Sequence, residues 1–202
     1  MGFVVVPATL PDIRAIYDVW FAAFKGQLIL DLIYPGTDIN DEAFRKVHTE
    51  GTLEYWKGLS TEHTFQCIDT DTGKIAGMAT WQVYWRERTA EERQKSWIGW
   101  LEDCHTVAVH PDYQGKGVGA QLMQWGMNVA EQLDLPVYLE STVEGVPLYK
   151  KLGFQTLSEG IVFKPEITRV DKEVRAPLMA KMPTSAGNMT FEEWAEGKTS
   201  SV

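Results

Sequence analysis

Gln114 to Ala120, QGKGVGA, sets Gly115, Gly117 and Gly119 at alternate positions with Lys116 between the first two. Three glycines open backbone shapes closed to other residues and let the chain approach a ligand closely. Gln121 to Leu133 reads as a helix, so its leading N–H groups and positive end meet the loop at one point. Such an arrangement takes an anion, here a phosphate or pyrophosphate. Ahead of it, Val107, Ala108 and Val109 form a short apolar run that suits a buried strand. His110 and Pro111 end that strand, because Pro cannot donate to a ladder and biases the residue before it to an extended shape.

Spacing separates this loop from two familiar phosphate binders. A P-loop needs Ser or Thr directly after its Gly-Lys pair, and here Gly117 follows Lys116. A dinucleotide fingerprint needs GxGxxG directly after its strand; here the glycines run GxGxG, and His110 to Gln114 intervene.

The string V-x-P-x-x-Q-G-x-G-x-G-A from Val109 to Ala120 resembles motif A of the GNAT superfamily, the acyl-CoA-dependent N-acetyltransferases, which usually carry Arg or Gln where this chain has Gln114. Gly145 to Phe154, GVPLYKKLGF, is similar to the family's later motif, in which a tyrosine precedes a Gly-Phe pair. The motifs come in the family's order, with one helix and one strand between them. The resemblance spans Phe3 to about Pro183 and is most specific from Val107 to Phe154. It implies an α/β (α+β) fold: a central mixed sheet, mostly antiparallel with one splayed parallel strand pair, flanked by helices. It also implies acetyl-CoA as co-substrate. Backbone groups of Val107, Ala108 and Val109 would then pair with the pantetheine arm, and Gln114, Gly115, Lys116, Gly117, Val118, Gly119 and Ala120 would hold the pyrophosphate.

An amine must be neutral to attack a thioester, and lysine-like amines are mostly protonated at neutral pH, so a base or a water chain should take the proton. Residues two apart on a strand share a face: Leu101, Asp103, His105 and Val107 on one, Glu102 and Cys104 on the other. Asp103 and His105 align with two histidines of the family's arylalkylamine branch and are the expected proton-removing pair. His105 comes first because its ordinary pKa lies nearest neutrality. Glu140, ending the neighbouring strand, is a rival base or an anchor for the substrate ammonium. Tyr149 aligns with the tyrosine that, in the family, hydrogen-bonds the CoA sulfur and protonates the leaving thiolate. No residue reads as an acylated nucleophile, so direct attack through a tetrahedral intermediate is expected, with backbone N–H near Val107 polarising the carbonyl. Tyr34, Tyr55 and Trp56 lie where the family builds its acceptor wall, and Tyr34 and Trp56 are candidate substrate-binding residues.

The elements that must position these groups read as follows. Phe3 to Ala8 is a strand. Thr9 caps a helix whose apolar face is Ile13, Ile16, Tyr17, Trp20, Phe21 and Phe24, with Gly26 as its stop. Leu28 to Gly36 reads as apolar and irregular, ending in the Tyr34-Pro35-Gly36 turn. A second helix starts at Asn40 or Asp41 and runs to about Leu59, with Gly51 a point of interruption. Phe65 to Asp69 and Lys74 to Trp85 form a hairpin around Asp71-Thr72-Gly73, and Gly77 marks a bulge or close approach. Arg86 to Lys95 is a charged, solvated stretch or a cover over the acceptor side. Val137 to Glu140 is the next parallel strand, Gly145 to Leu152 a short helix, and Phe154, Val162-Phe163 and Leu178 to Met182 the remaining strands. Residues 1–183 read as one domain and 184–202 as a tail, in which Thr190 caps a short helix.

With 202 residues, 44% hydrophobic content and eight Trp, the chain can bury a sizeable core. A net charge of −9 disfavours nucleic acid, which calls for a basic face, and suits a cationic acceptor. Cys67 and Cys104 read as buried free thiols, no metal spacing exists, and no run approaches a membrane span. The expected partner is a small-molecule amine, and the resemblance leaves room for a homodimer. The default location is the cytoplasm, with the nucleus open. Two other readings stand beside this one: a protein lysine or N-terminal acetyltransferase, and a non-catalytic CoA-binding sensor module.

Overall fold

The computed structural model describes residues 2–58, 62–86, 89, 91, 106–165, 171 and 173–199. The chain divides into two compact units between Met123 and Gln124, within one helix.

The first unit is built on a sheet of order β1-β2-β3-β4: β1 Phe3–Pro7, β2 Glu62–Asp69, β3 Ile75–Gln82 and β4 Val107–Val109. Every pairing is antiparallel. Among the described residues, three α-helices lie between β1 and β2: α1 Ile13–Phe24, α2 Leu28–Ile33 and α3 Glu42–Gly58. The Thr9 N–H and hydroxyl both donate to Asp12 Oδ2, at 2.8 and 2.7 Å, fixing the entry to α1. Asp41 accepts from the N–H of Ala43 and Phe44 and caps α3. Helical spacing turns Ile13, Ile16, Val19, Trp20 and Phe21 inward, where Met78 of β3 and Ala108 of β4 complete the core cluster. Each such side chain contributes roughly 1.5–3 kcal/mol relative to exposure.

Two local expectations change. Leu28 to Ile33 is a helix, not irregular chain: a short run, apolar but for Asp31, has no period to read, and burial of Leu30 in the core settles its shape. Gly51 stays inside α3 without interrupting it. Gly77 is both a bulge and a close approach. The β2–β3 register shifts between Cys67 and Ile68, opposite it. A Cβ on Gly77 would lie 2.8 Å from Val118 Cγ1, 2.9 Å from the Ala108 carbonyl oxygen and 2.9 Å from Leu122 Cδ1. The sheet is therefore sandwiched by α1 on the Met78 face and by the first turns of α4, Val118–Gln132, on the Gly77 face.

The second unit has a sheet of order β5-β7-β6: β5 Val137–Glu140, β6 Gln155–Phe163 and β7 Val174–Lys181. Both pairings are antiparallel, and β6 is longer than the sequence suggested. The short helix α5, Val146–Lys151, joins β5 to β6. The last helix, α6 Phe191–Thr199, starts in a reciprocal cap: the Thr190 N–H donates to Glu193 and the Glu193 N–H to Thr190 Oγ1. Phe191 stacks on Tyr138 of β5 at 5.7 Å between centroids.

Candidate active site

The free edge of β4 is the first part of the site. The Thr80 N–H donates to the Thr106 carbonyl and the His110 N–H to the Ala76 carbonyl, so backbone groups of residues 106, 108 and 110 point toward β3. Alternation turns those of Val107 and Val109 to the other side. Among the described residues no strand pairs with that edge. It offers N–H and C=O groups to an extended, amide-bearing ligand arm, as an added strand would.

The loop after β4 is the second part. A 3₁₀ turn, Pro111–Tyr113, reverses the chain. His110 Nδ1 accepts from the Asp112 N–H at 3.2 Å. Tyr113 is buried, and its hydroxyl donates to Asp69 Oδ2 at 3.3 Å. Asp69 also accepts from the Asp71 N–H and the Thr72 hydroxyl. These bonds, with the Asp71 N–H largest, hold its carboxyl below the usual range. The loop is thus pinned to the β2–β3 hairpin by residues 44 positions apart. The Gln114 amide donates to the Val109 carbonyl at 3.3 Å, and Lys116 Nζ donates to the Asp112 carbonyl at 2.8 Å. Both side chains shape the loop.

Gly115 and Gly117 sit at φ +74° and +86°, the left-handed region, and a Cβ on either would meet nothing within 4 Å. Their requirement is conformational, and the space beside them is open. The Gln121 N–H bonds the Gly117 carbonyl, so the first-turn N–H groups of Val118, Gly119 and Ala120 have no acceptor within the helix. Val118 and Gly119 are buried and Ala120 half-buried. Free edge, open glycine turn and unpartnered N–H groups fit a long ligand with an amide arm and a diphosphate.

A third feature lies at the other end of the first sheet. A cavity of about 280 Å³ is lined by Pro7 and Ala8 after β1, Leu10, Trp56 of α3, and Glu62, His63, Thr64 and Phe65 of β2. The Tyr55 hydroxyl donates to the Glu62 carboxylate, yet burial pushes that carboxyl up to about 7. Trp56 Nε1 is buried without a hydrogen-bond partner. Tyr34 packs edge-on to Phe44 at 5.1 Å and tilted against Phe21 at 5.8 Å, and does not border this cavity. Glu62 has no signal in the sequence beyond standing just ahead of the strand expected over Phe65 to Asp69.

In the second unit Tyr149 is buried on α5, edge-on to Phe154 at 5.6 Å. A Cβ on Gly145 would fall 3.2 Å from its Cε2, so glycine at the start of α5 lets the ring seat. Burial raises its hydroxyl pKa further above neutrality. Glu140 is exposed at the end of β5. Asp103 and His105, like most of Arg86 to Lys95 and Cys104, lie outside the described residues. Among the described residues no His, Cys, Asp and Glu group could hold a metal ion, and no helix is long and apolar enough to cross a membrane.

A family model described as "Acetyltransferase (GNAT) family" matches residues 33–154. A curated relative from Ajellomyces capsulatus, named "Probable acyltransferase SID5", is 33% identical over 135 residues, 57% of this chain and 99% of that protein. A Corynebacterium glutamicum structure, described as histone acetyltransferase HPA2 and related acetyltransferase, has a TM-score of 0.62. It is 23% identical, with 95% of this chain and 99% of that chain covered. Vibrio cholerae spermidine N-acetyltransferase in complex with CoA and spermine has a TM-score of 0.58. It is 16% identical, with 90% and 96% covered. At these identities the structures speak for the fold. The family model, which takes in the β4 edge, the glycine loop and Tyr149, speaks for more: this chain belongs to the GNAT family of acetyltransferases.

Proposed function

We infer that the chain transfers the acetyl group of acetyl-CoA to a primary amine of a small molecule. The observation that carries this is the continuous run from the free β4 edge into the open glycine turn and the start of α4. It suits an amide-bearing arm followed by a diphosphate, two of the polar parts of CoA. The small-molecule reading is supported by the Trp56–Glu62 cavity, whose size and partly apolar lining suit a small ligand.

The reaction is direct. The neutral amine nitrogen attacks the thioester carbonyl, and backbone N–H near Val107 stabilises the oxygen as charge develops. The tetrahedral intermediate collapses with release of the CoA thiolate, which takes a proton from Tyr149. Its assignment rests on the match to the family's tyrosine, a side chain that carries its proton at neutral pH. His105, with Asp103, takes the proton that the amine must lose, by alignment and by its ordinary pKa near neutrality.

The test is thiol release from acetyl-CoA across polyamines, arylalkylamines, amino acids, aminoglycosides and basic peptides. Turnover with one class of small amine is the expected result. Turnover only with peptides would replace this reading by a protein acetyltransferase. CoA binding without turnover on any acceptor would favour a sensor, and absence of CoA binding would remove the role of Gln114 to Ala120.

A further inference from the structure

We propose that Glu62 anchors a second, non-reacting cationic group of the acceptor, so that the preferred acceptor is a long diamine held at one end in the Trp56–Glu62 cavity. The proposal rests on the acetyl-transfer reading above and adds the substrate class.

The cavity brings one carboxylate to a partly apolar enclosure. Among the described residues that border it there is no Lys or Arg, and Leu10 and Trp56 supply apolar and aromatic surface. A carboxylate beside an indole is a setting for an alkylammonium: the charge pairs with the carboxylate, the methylenes lie on the apolar wall, and the indole attracts the cation. Burial raises the Glu62 pKa because the charged form lacks water, and a cation seated there supplies the missing counter-charge.

The chemistry of transfer says which nitrogen this is. A carboxylate paired with an ammonium holds the proton on nitrogen, and a protonated amine cannot attack a thioester. Glu62 therefore suits the nitrogen that does not react. Sheet register separates the two positions. Val107 on the β4 edge is opposite Ala79, and Ala79 is opposite Phe65. Glu62 stands three residues before Phe65 on β2. Two strand spacings of about 4.8 Å and three rises of about 3.4 Å put Glu62 roughly 14 Å from Val107 across the sheet. One nitrogen at Glu62 and another at the β4 edge require a long spacer.

The experiment is calorimetric titration of butane-, hexane-, octane- and decane-α,ω-diamines and the matched monoamines. Wild type, Glu62→Gln and Glu62→Asp are compared, with and without coenzyme A. Wild type should bind octane- or decane-diamine at least tenfold more tightly than the matched monoamine. Glu62→Gln should lose that preference while keeping its CoA affinity and circular dichroism, and Glu62→Asp should keep part of it. Equal binding of diamine and monoamine by wild type, a preference unchanged in Glu62→Gln, or no amine binding overturns the proposal. Thiol release in parallel tests the transferase separately: turnover of monoamines, indifferent to Glu62, would leave transfer standing and remove the anchor.

Discussion

Tyr149 and His48 show how burial shifts the titration of single residues. Tyr149 is buried against Phe154 and keeps its proton at neutral pH. If that proton goes to the departing thiolate, Tyr149→Phe lowers turnover by roughly 10²–10⁴-fold, the usual range for a positioned acid, and changes acetyl-CoA affinity little. Steady-state kinetics beside CoA titration separate the two; equal losses would mean a binding role only. His48 sits among the rings of Tyr17, Phe21, Tyr34 and Phe44. Burial first, and Arg45 second, bring its pKa from 6.5 to about 4. The unfolded chain therefore takes up a proton near pH 6.5 that the folded chain refuses, and stability from this residue is lost as pH falls from about 6.5 to about 4. Glu62 works in the opposite sense. Its folded pKa of about 7 lies above the ordinary 4.5, so its contribution is fully present below 4.5 and lost as pH rises through 7. Melting temperatures of wild type and His48→Phe at pH 7.5 and 5 isolate the histidine: the variant should lose less on acidification. Equal losses would remove His48 as a source of acid sensitivity.

Two glycines, 40 positions apart, serve β3 and the loop before α4 in different ways. At Gly77 the obstacle is packing: the Ala108 carbonyl cannot step aside, and Val118 and Leu122 are buried. Gly77→Ala should cost about 1–3 kcal/mol by overpacking, roughly 2–12 °C of melting temperature for a chain of this size. At Gly117 nothing obstructs a Cβ, and the cost is the left-handed backbone, about 1–2 kcal/mol. Gly117→Ala should lower CoA affinity about tenfold and shift melting less than Gly77→Ala does. A Gly117→Ala protein with unchanged CoA affinity would mean that the loop's shape is not what binds. These elements were largely legible in the sequence. Alternating glycines, the Pro after a strand and the helical period of Ile13 to Phe24 are local signals that packing agreed with. The α2 helix was not, because six residues, all apolar but Asp31, are too few to carry a period. The bond between Tyr113 and Asp69 and the cavity that joins Trp56 to Glu62 were also hidden. Both arise when the chain returns across the sheet, and neither leaves a mark in local spacing. For the same reason Tyr34 and Trp56 read as one aromatic wall from sequence, whereas in space Tyr34 joins the His48 cluster and Trp56 borders the cavity.

At the scale of the whole molecule, the net charge of −9 acts on anything that approaches. It attracts a cationic acceptor and repels a polyanionic donor, so the donor's site must attract locally with helix N–H groups. Long-range attraction is screened as the Debye length falls from about 30 Å at 0.01 M salt to about 8 Å at 0.15 M. A dication gains twice the energy of a monocation in the same potential, so the logarithm of its association rate should fall about twice as steeply with added salt. The expected outcome is that kcat/KM for a long diamine drops more sharply between these salt concentrations than for the matched monoamine, with saturating acetyl-CoA in both. The kcat/KM for acetyl-CoA, measured at saturating diamine, should hold or rise over the same range, because screening relieves its repulsion. Parallel slopes for the two amines would show that one charge of the acceptor is recognised. The anchor at Glu62, which requires that a second charge be recognised, would then fail by a route independent of any substitution there.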